Sequence, residues 1–230
     1  GNESEIDTAV TIKEETTICE AWQLMSAEKR VLCVVDDNNV LLGVLTNTNI
    51  STVAMGDTAK SIELLSKTPI EYIVKTISGA LIYAPKVTRL NGKVSIVAVA
   101  EHKLDNYELK DRTVIVGNDT EAQLQAIEKD AACLVIVWAD YVKDEVIKFA
   151  KEKGCAIILS GHGTLNTSRY IFYSSPIKFI MSTNLITFDK SEFVDDVLNK
   201  VVKSRYRSYP VVDDKGKIFG LVSRYHLLNA

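Results

Sequence analysis

Two short stretches of the chain carry side chains whose types and spacing suit the binding of a polar, anionic ligand. Thr46 stands three residues before Asn49, and Ser223 stands three residues before His226. A hydroxyl group can hydrogen-bond an anion, while an amide can accept hydrogen bonds from a ligand and also donate to it. Each stretch ends a predicted strand, and a helix predicted to open at Asn49 would add N–H groups that favour an anion. The structural alternative for Asn49 is a plain helix N-cap, which is compatible with binding.

An arginine precedes the first hairpin strand linked to each of these stretches. Arg30 and Arg207 occupy equivalent positions, and the fork of an arginine side chain suits phosphate oxygens. Two such forks facing one cleft would suit a polyphosphate. The alternative is a solvated helix end, because residues 203–207 form a basic run and cations favour the C-terminal end of a helix.

Candidate catalytic and metal-ligating groups are sparse in the sequence. The three histidines, His102, His162 and His226, are widely separated and have no metal-ligand spacing with cysteine or aspartate. Residues 161–164, Gly-His-Gly-Thr, lack the lysine and the spacing of a phosphate-binding P-loop, so we interpret them as a turn after a strand. We therefore predict no catalytic residue and no metal site.

The candidate binding residues belong to an internal repeat. Residues 32–46 align without a gap with residues 209–223, and each stretch predicts a β-hairpin whose turn contains two aspartates. Gly43 and Gly220 fall at the same place in the second strand, where a bulge or a close backbone approach is expected. A short strand and a helix precede each hairpin, giving a strand–helix–strand–strand–helix unit of about 50 residues. One unit is too small to bury both faces of its sheet, so the two copies should pack on each other.

Apolar residues at helical spacing predict the helices that precede the hairpins. In the first copy these residues lie between positions 16 and 25 and include Trp22, and in the second copy they lie between positions 191 and 202. Trp22 and Trp138 both stand in apolar patterns, so both are predicted to lie in the core.

A different pattern separates the two copies. After Gly79, four short apolar runs rich in β-branched residues alternate with helices predicted over residues 120–129 and 142–153, the second ending at Gly154. This alternation predicts a parallel βαβ layer domain inserted between the halves of another domain. Residues 57–77 predict a helical connector interrupted at Pro69.

The predicted organisation is therefore a mixed α+β and α/β fold in four parts. The parts are a first repeat, a helical linker, an inserted α/β domain and a second repeat, over residues 1–56, 57–78, 79–172 and 173–230.

The composition is that of a soluble globular protein. The chain has 230 residues, of which 47% are hydrophobic and 25% charged, and its formal net charge is −3. This acidic balance argues against a nucleic-acid partner. The longest apolar run, residues 131–139, is far shorter than the roughly 20 residues that span a bilayer, and the polar start argues against a signal peptide. No membrane partner is expected, and the four scattered cysteines fit the reducing cytoplasm.

The flanking repeats resemble cystathionine-β-synthase (CBS) motifs, whose pairs form Bateman modules that bind adenine nucleotides. The family's ligand signature, hydrophobic–Gly–hydrophobic–x–Thr/Ser–x–x–Asp/Asn, matches the stretch that contains residues 43–49. A second copy over residues 220–226 departs from the signature at His226, which replaces the acid or amide. Residues 92–96, 114–119 and 158–169 are similar to stretches of a DRTGG domain, although glycine replaces the family's acid at position 163.

The order CBS, DRTGG, CBS resembles the regulatory insert of bacterial family II, manganese-dependent inorganic pyrophosphatases. The resemblance implies a noncatalytic module attached to catalytic DHH domains, because no Asp-His-His occurs in this sequence. It implies no cofactor in the module, manganese in the parent enzyme, inhibition by AMP and ADP, and activation by diadenosine polyphosphates. Bateman modules usually pair, so the resemblance also implies a homodimer whose facing clefts one diadenosine polyphosphate could bridge.

The same resemblance assigns roles to individual residues. Thr46 would bind the α-phosphate and Asn49 the ribose, while the base would sit in a slot completed by the second repeat. One occupied site per chain is expected at Asn49, with a weaker second site at Ser223 and His226. The other predicted nucleotide-binding residues are Arg30, Asn47, Thr48, Thr183, Phe188, Arg207, Ser208, Tyr209 and Pro210. For Tyr209, which could pack on the base or ribose, the alternative is packing in the core.

Two other functions fit the same domains. CBS and DRTGG domains also accompany DNA-binding modules, so a nucleotide-responsive transcription regulator is the runner-up, although no basic recognition helix is evident. The third possibility is an enzyme with its chemistry in the DRTGG layer. Flanking sequence distinguishes the first two functions, since Asp-His-His supports the pyrophosphatase and a winged helix supports the regulator.

Overall fold

The computed structural model describes residues 6–53, 58–98, 104–189, 191, 199–202 and 207–228, with the backbone alone at residues 226–227. Residues 1–16, 20–51 and 177–230 form one unit, here called the paired-repeat unit. Residues 17–19 and 52–176 form the other, the inserted unit. Among the described residues, no helix combines the length and the hydropathy that crossing a bilayer requires.

The helices and strands follow the predicted order of repeat, insertion and repeat. The first repeat contains β1 (Val10–Ile12), α1 (Ile18–Leu24), β2 (Val31–Val35), β3 (Leu41–Thr46) and α2 (Asn47–Ser51). The insertion contains α3 (Ala59–Ser66), α4 (Ile70–Thr76), β4 (Ala80–Tyr83), β5 (Val94–Val97), β6 (Thr113–Val116), α5 (Thr120–Glu128), β7 (Cys133–Ile136), α6 (Asp144–Lys153), β8 (Ala156–Leu159) and α7 (Thr164–Ile171). The second repeat contains β9 (Phe188–Asp189), β10 (Ser208–Val212), β11 (Ile218–Ser223) and α8 (Arg224–Leu228).

Each repeat forms a three-stranded sheet around the predicted hairpin. The strand orders are β1-β2-β3 and β11-β10-β9, with the first strand parallel to the central one and the last antiparallel to it. Residues 199–202 are helical, but residues 192–198 of the predicted second helix lie outside the described part of the chain.

The hairpin turns of the two repeats have the same hydrogen bonds. Asp36 Oδ1 accepts the N–H groups of residues 38 and 40, and Asp213 Oδ1 accepts those of residues 215 and 217. Asn39 and Gly216 occupy the same left-handed position, with φ of 66° and 78°. The two predicted hairpins are therefore confirmed down to their turns.

The last strand of each repeat also pairs with the segment that enters the other repeat. Val44 of β3 exchanges both backbone hydrogen bonds with Ser182, and Leu221 of β11 exchanges both with Asp7. The adjacent glycines make this approach possible. A Cβ atom on Gly43 would lie 2.9 Å from the carbonyl oxygen of Ser182, and one on Gly220 would lie 2.6 Å from that of Asp7. The predicted close approach at both glycines, and the packing of the two copies on each other, are confirmed.

The inserted unit is a three-layer structure around a five-stranded sheet of order β4-β8-β7-β6-β5. Strands β5 to β8 are parallel, as predicted, and β4 is an antiparallel edge strand that the sequence pattern did not predict. One face of the sheet packs on α5 and α6, and the other packs on residues of α3, α4 and α7. Because α3 and α4 supply Leu65, Ile70 and Ile73 to this core, the segment predicted as a connector packs as part of the insertion.

Both tryptophans lie on the surface, so the prediction that they belong to the core is wrong. The side chain of Trp22 is 57% exposed and that of Trp138 is 76% exposed. Helix α1 has only seven residues and buries Ile18 and Ala21, whereas Trp22, one turn after Ile18 and close to the end of the helix at Leu24, is left exposed. Trp138 follows the buried run of β7 and has a φ of 59°, which turns the chain out of the sheet.

Candidate functional site

A cavity of about 850 Å³ lies within the paired-repeat unit, a volume in the range of small-molecule sites. Hydroxyl and amide side chains line part of it: Ser26, Thr46, Asn47, Thr48, Asn49, Ser182 and Ser208. Apolar side chains line another part: Trp22, Met25, Ala27, Val31 and Val44. Arg30 and Arg207 complete the described lining. Both repeats therefore contribute to one cavity.

Asn49 holds the corner at which β3 passes into α2. Helix α2 begins at Asn47, two residues before the predicted opening, so that Asn49 is its third residue. The Oδ1 atom of Asn49 accepts the N–H group of Thr46 at 2.8 Å and the hydroxyl group of Thr46 at 3.0 Å. This is one half of a capping box, in which the third helical residue reaches back to the residue before the helix. Asn49 therefore caps the corner from inside the helix.

The same amide joins the two repeats. Asn49 Nδ2 donates to the carbonyl oxygen of Ile180 at 3.0 Å and to the hydroxyl oxygen of Ser182 at 3.0 Å. Its oxygen, predicted to accept a hydrogen bond from a sugar, already accepts two from Thr46. A ligand hydroxyl must therefore share or replace those bonds.

Ser182 reaches the cavity because of the close approach at Gly43. The backbone of Ser182 pairs with Val44, and its hydroxyl oxygen accepts the hydrogen bond from Asn49. The neighbouring Thr183, which the sequence predicted as a binding residue, is exposed and does not line the cavity. Gly43 indicates in the sequence that another segment approaches there, but it does not indicate which residue of the other copy pairs with Val44.

A closed turn holds Arg30 at the cavity. Ser26 and Lys29 exchange backbone hydrogen bonds, and the Ser26 hydroxyl oxygen also accepts the N–H group of Lys29 at 3.0 Å. Arg30 Nε donates to the carbonyl oxygen of Ala27 at 3.0 Å. Within the described part of the chain no acceptor bonds the Nη groups of Arg30, which leaves the fork available to an anion.

Arg207 lies at the cavity from the side of the second repeat. Its carbonyl oxygen accepts the N–H group of Arg224 at 2.7 Å, next to the antiparallel pair formed by Ser208 and Ser223. The described lining thus contains two guanidinium groups and no carboxylate. Its electrostatics favour a ligand with negative charge.

Trp22 and Met25 form an apolar wall of the cavity. Trp22 lies in α1, and Met25 follows the last residue of that helix. The carbonyl oxygen of Trp22 accepts the N–H group of Met25 at 3.2 Å. Neither residue was predicted to bind a ligand, because apolar residues at helical spacing predict a core face. An aromatic ring in a cavity with cationic and hydroxyl groups suits a ligand that has a flat ring and an anionic part.

Three predicted residues are buried away from this cavity. The rings of Phe188 and Tyr209 pack with their centroids 5.2 Å apart, and the two residues are 3% and 1% exposed. Pro210, the next residue of β10, is also buried. For Tyr209 the structure therefore favours the core alternative, while the structure brings together Arg30, residues 46–49, Arg207 and Ser208.

The second corner begins in the same way as the first. Ser223 ends β11 as Thr46 ends β3, and α8 begins at the next residue. The side chain of His226 lies outside the described part of the chain. The weaker second site therefore stays a prediction.

The described residues contain no group of three or more histidine, cysteine, aspartate or glutamate side chains that could hold a metal ion. Burial raises the pKa of the Cys33 and Cys155 thiols to about 12 and the pKa of Cys133 well above its usual value, so these thiols are neutral at physiological pH. The turn after β8 is held by hydrogen bonds among its own residues. The hydroxyl groups of Ser160 and Thr167 lie 2.6 Å apart, and Thr167 also donates to the carbonyl oxygen of His162.

Family models account for most of the chain. The CBS domain matches residues 4–56 and 177–230, and the DRTGG domain matches residues 72–173. The chain consists of a CBS pair and a DRTGG domain. The cavity described above thus lies in the CBS pair, and the layered insertion is the DRTGG domain.

Relatives of known name carry the same domains. The chain is 28% identical over 228 residues to the cobalt-dependent inorganic pyrophosphatase of Clostridium perfringens, covering 98% of this chain and 42% of that protein. It is 26% identical over 227 residues to a probable manganese-dependent inorganic pyrophosphatase of Thermotoga maritima, covering 97% of this chain and 41% of that protein. The chain therefore spans about two fifths of the length of these relatives.

A solved structure has the same fold over nearly its whole length. It contains the CBS and DRTGG domains of the regulatory region of the C. perfringens pyrophosphatase, complexed with the activator diadenosine tetraphosphate. The identity is 28%, the TM-score is 0.82, and the match covers 95% of this chain and 96% of that one. The resemblance to the CBS–DRTGG region of a family II pyrophosphatase, stated from the sequence motifs, is confirmed.

Proposed function

We propose that this chain is a noncatalytic regulatory module that binds adenine nucleotides in the cavity of its CBS pair and thereby controls an attached inorganic pyrophosphatase. The observation that carries the proposal is the described lining of the cavity, in which Arg30 and Arg207 stand with a hydroxyl-rich corner, an aromatic wall and no carboxylate. Phosphates suit the arginines, and a ribose suits the hydroxyl and amide groups. The relative crystallised with diadenosine tetraphosphate supports the same ligand class.

The proposed ligands are AMP, ADP and diadenosine polyphosphates. A ligand in this cavity contacts Thr46 and Asn49 from one repeat and Ser182, Arg207 and Ser208 from the other. We propose that a mononucleotide and a dinucleotide favour different relative orientations of the subunits of a dimer. Only such a difference in affinity between two arrangements can transmit a signal.

We propose that two chains form a homodimer and that the signal is a rearrangement of that dimer. A mononucleotide occupies one chain and lowers the activity of the parent enzyme, while a diadenosine polyphosphate bridges two chains and raises it.

Catalysis belongs to DHH domains elsewhere in the parent, with manganese or cobalt, the metals in the names of the relatives. The free thiols of this chain fit the reducing cytoplasm as its location.

Calorimetric titration tests nucleotide binding directly. AMP and diadenosine tetraphosphate are titrated into the wild type, into an Arg30→Ala, Arg207→Ala double variant and into Arg169→Ala. Arg169 is an exposed arginine of α7 and serves as the matched control for loss of positive charge. We expect affinity to fall about tenfold or more in the double variant, because it loses charge-assisted bonds to phosphate, and to stay unchanged in the control. Wild type that binds neither ligand, or a double variant with undiminished affinity, contradicts the proposal.

Two further measurements test the dimer and the absence of catalysis. Sedimentation with diadenosine tetraphosphate should give a dimer with one dinucleotide for every two chains. A pyrophosphatase assay of this chain with Mn²⁺ or Co²⁺ should give no turnover. One dinucleotide for each separate chain would contradict the bridging mechanism.

A further inference from the structure

Trp22 has a position that core packing does not explain. Its side chain is 57% exposed, although the neighbouring Ala21 is fully buried and Ile18, one turn earlier, is also fully buried. A large aromatic side chain gains most from burial, so an exposed one at a cavity marks a place where another molecule can cover it.

The surroundings of Trp22 indicate which kind of molecule covers it. Trp22 and Met25 form an apolar wall, and the closed turn that follows them ends at Arg30, whose Nε is fixed on the carbonyl oxygen of Ala27. One short connection therefore presents a flat apolar surface and a guanidinium fork to the same cavity. A nucleotide has the matching pair of features, a flat base and a phosphate.

The arginines alone cannot select such a ligand. A site with two guanidinium groups and no described carboxylate attracts any phosphate, including the inorganic pyrophosphate on which the attached enzyme acts. A regulatory site that its enzyme's own substrate could fill would report the wrong signal. Selection must therefore come from contacts that a base makes and that a base-free phosphate lacks.

We propose that Trp22 is the stacking platform for the base and is the residue by which the site distinguishes nucleotides from pyrophosphate and orthophosphate. This inference rests on the proposed nucleotide-binding function. The indole ring contacts the face of the base, while Arg30 contacts phosphate. Stacking on an aromatic ring is tolerant of base identity, because every base has a π-face. Trp22 therefore selects for the presence of a base, and polar groups of the cavity select which base it is.

The chain offers a direct spectroscopic test, because Trp22 and Trp138 are its two tryptophans. A Trp138→Phe variant leaves Trp22 as the only indole, and Trp138 lies in the other unit, after β7. We expect AMP to change the fluorescence of this variant with the same midpoint as its calorimetric binding. Pyrophosphate should bind weakly and leave the emission nearly unchanged, because it has no ring to stack.

Affinities of Trp22→Phe and Trp22→Ala, measured for AMP and for pyrophosphate, test selectivity. We expect Trp22→Ala to bind AMP about tenfold to a hundredfold more weakly and to bind pyrophosphate as the wild type does, so that its preference for AMP is largely lost. Trp22→Phe keeps a ring and should retain most of the preference. Because Trp22 is exposed, both variants should keep the unfolding midpoint of the wild type, which circular dichroism checks.

The outcomes separate this inference from the proposed function. If Trp22→Ala binds AMP as tightly as the wild type while the Arg30 and Arg207 double variant does not, the function stands and the stacking inference is overturned. If Trp22→Ala loses AMP and pyrophosphate equally, Trp22 shapes the cavity and is not a platform for the base. If the wild type itself does not bind AMP, both proposals fail.

Discussion

The two strand-to-helix corners of the CBS pair begin alike and then diverge. Before the corners, the repeats share their turn aspartates, Asp36 and Asp213, and a glycine at which a Cβ atom would collide with the backbone of the other repeat. After the strand, Asn49 stands in one corner and His226 in the other. The turns, the glycines and the arginines of the cavity are thus duplicated, whereas the polar residue three positions after the end of the strand is not. The difference predicts that nucleotide binding, unlike the hairpin turns, depends on one corner more than on the other.

The largest expected effect tests the duplicated part of this comparison. In Gly220→Ala the added methyl group would meet the carbonyl oxygen of Asp7 at 2.6 Å, and in Gly43→Ala it would meet that of Ser182 at 2.9 Å. A paired backbone segment can shift only by breaking its hydrogen bonds. We therefore expect each variant to lower the free energy of unfolding by about 3 kcal/mol, the upper part of the usual range for overpacking. Urea denaturation measures both.

Gly117→Ala is the matched control for the two glycine variants. A Cβ atom at Gly117 would have no neighbour within 4 Å, so this variant should unfold with the wild type. If Gly43→Ala and Gly220→Ala are also neutral, the exchange of strand edges between the repeats does not stabilise the pair.

The second expected effect tests the corner that differs. Asn49→Ala removes two donated bonds, to Ile180 and to Ser182, and two accepted bonds from Thr46. We expect a loss of about 2 kcal/mol of unfolding free energy, because the partners of a half-buried amide are left unsatisfied. Nucleotide affinity should fall as well, since the corner that lines the cavity loses its cap.

Asn47→Ala separates these two consequences. Asn47, the first residue of α2, lines the same cavity, but it is exposed. We expect it to keep the unfolding free energy within about 0.5 kcal/mol of the wild type. Equal destabilisation by Asn47→Ala and Asn49→Ala would mean that the hydrogen bonds of the Asn49 amide add no stability of their own.

The third expected effect concerns the turns. Asp36→Ala and Asp213→Ala each remove an oxygen that accepts two backbone N–H groups, at 2.8 and 2.9 Å in the first turn and at 2.9 Å in the second. We expect equal losses of about 1 kcal/mol, because the two turns are the same. Asp37→Ala and Asp214→Ala, which replace the exposed second aspartate of each turn, are the controls and should cost little. Unequal losses would mean that the repeats differ in the hairpin as well as in the corner.

Sequence reasoning succeeded where a residue's role is local or is repeated. The hairpins and the close approach at Gly43 and Gly220 could be predicted, because glycine and aspartate have few other reasons to recur at equal spacing. It failed at Trp22, because an apolar spacing of three or four residues describes both a face that packs in a core and a face that lines a cavity.

The remaining differences arise from contacts between distant parts of the chain. Phe188 and Tyr209 meet as neighbours in the core of the second repeat, so neither ring reaches the cavity. Ser182 lines the cavity in place of Thr183 because its backbone pairs with Val44, and the register of that pairing is not visible in local spacing. The edge strand β4 is exposed or half-buried along its length, so it lacks the burial on both faces by which the central parallel strands were predicted.

The smallest expected effect tests whether the second corner binds at all. Thr46→Ala should weaken AMP binding about fivefold, because it removes a hydroxyl group from the cavity together with its bond to Asn49. Ser223→Ala likewise removes a hydroxyl group at the equivalent position, three residues before a histidine where the first corner has asparagine. If binding depends on the first corner alone, Ser223→Ala should change AMP affinity by less than about twofold, the range of a surface substitution. The opposite result would be a fivefold loss in both variants, together with two AMP molecules bound to each chain of the wild type in the calorimeter. It would mean that histidine supports the same chemistry as the amide. The corners would then differ in sequence but not in function.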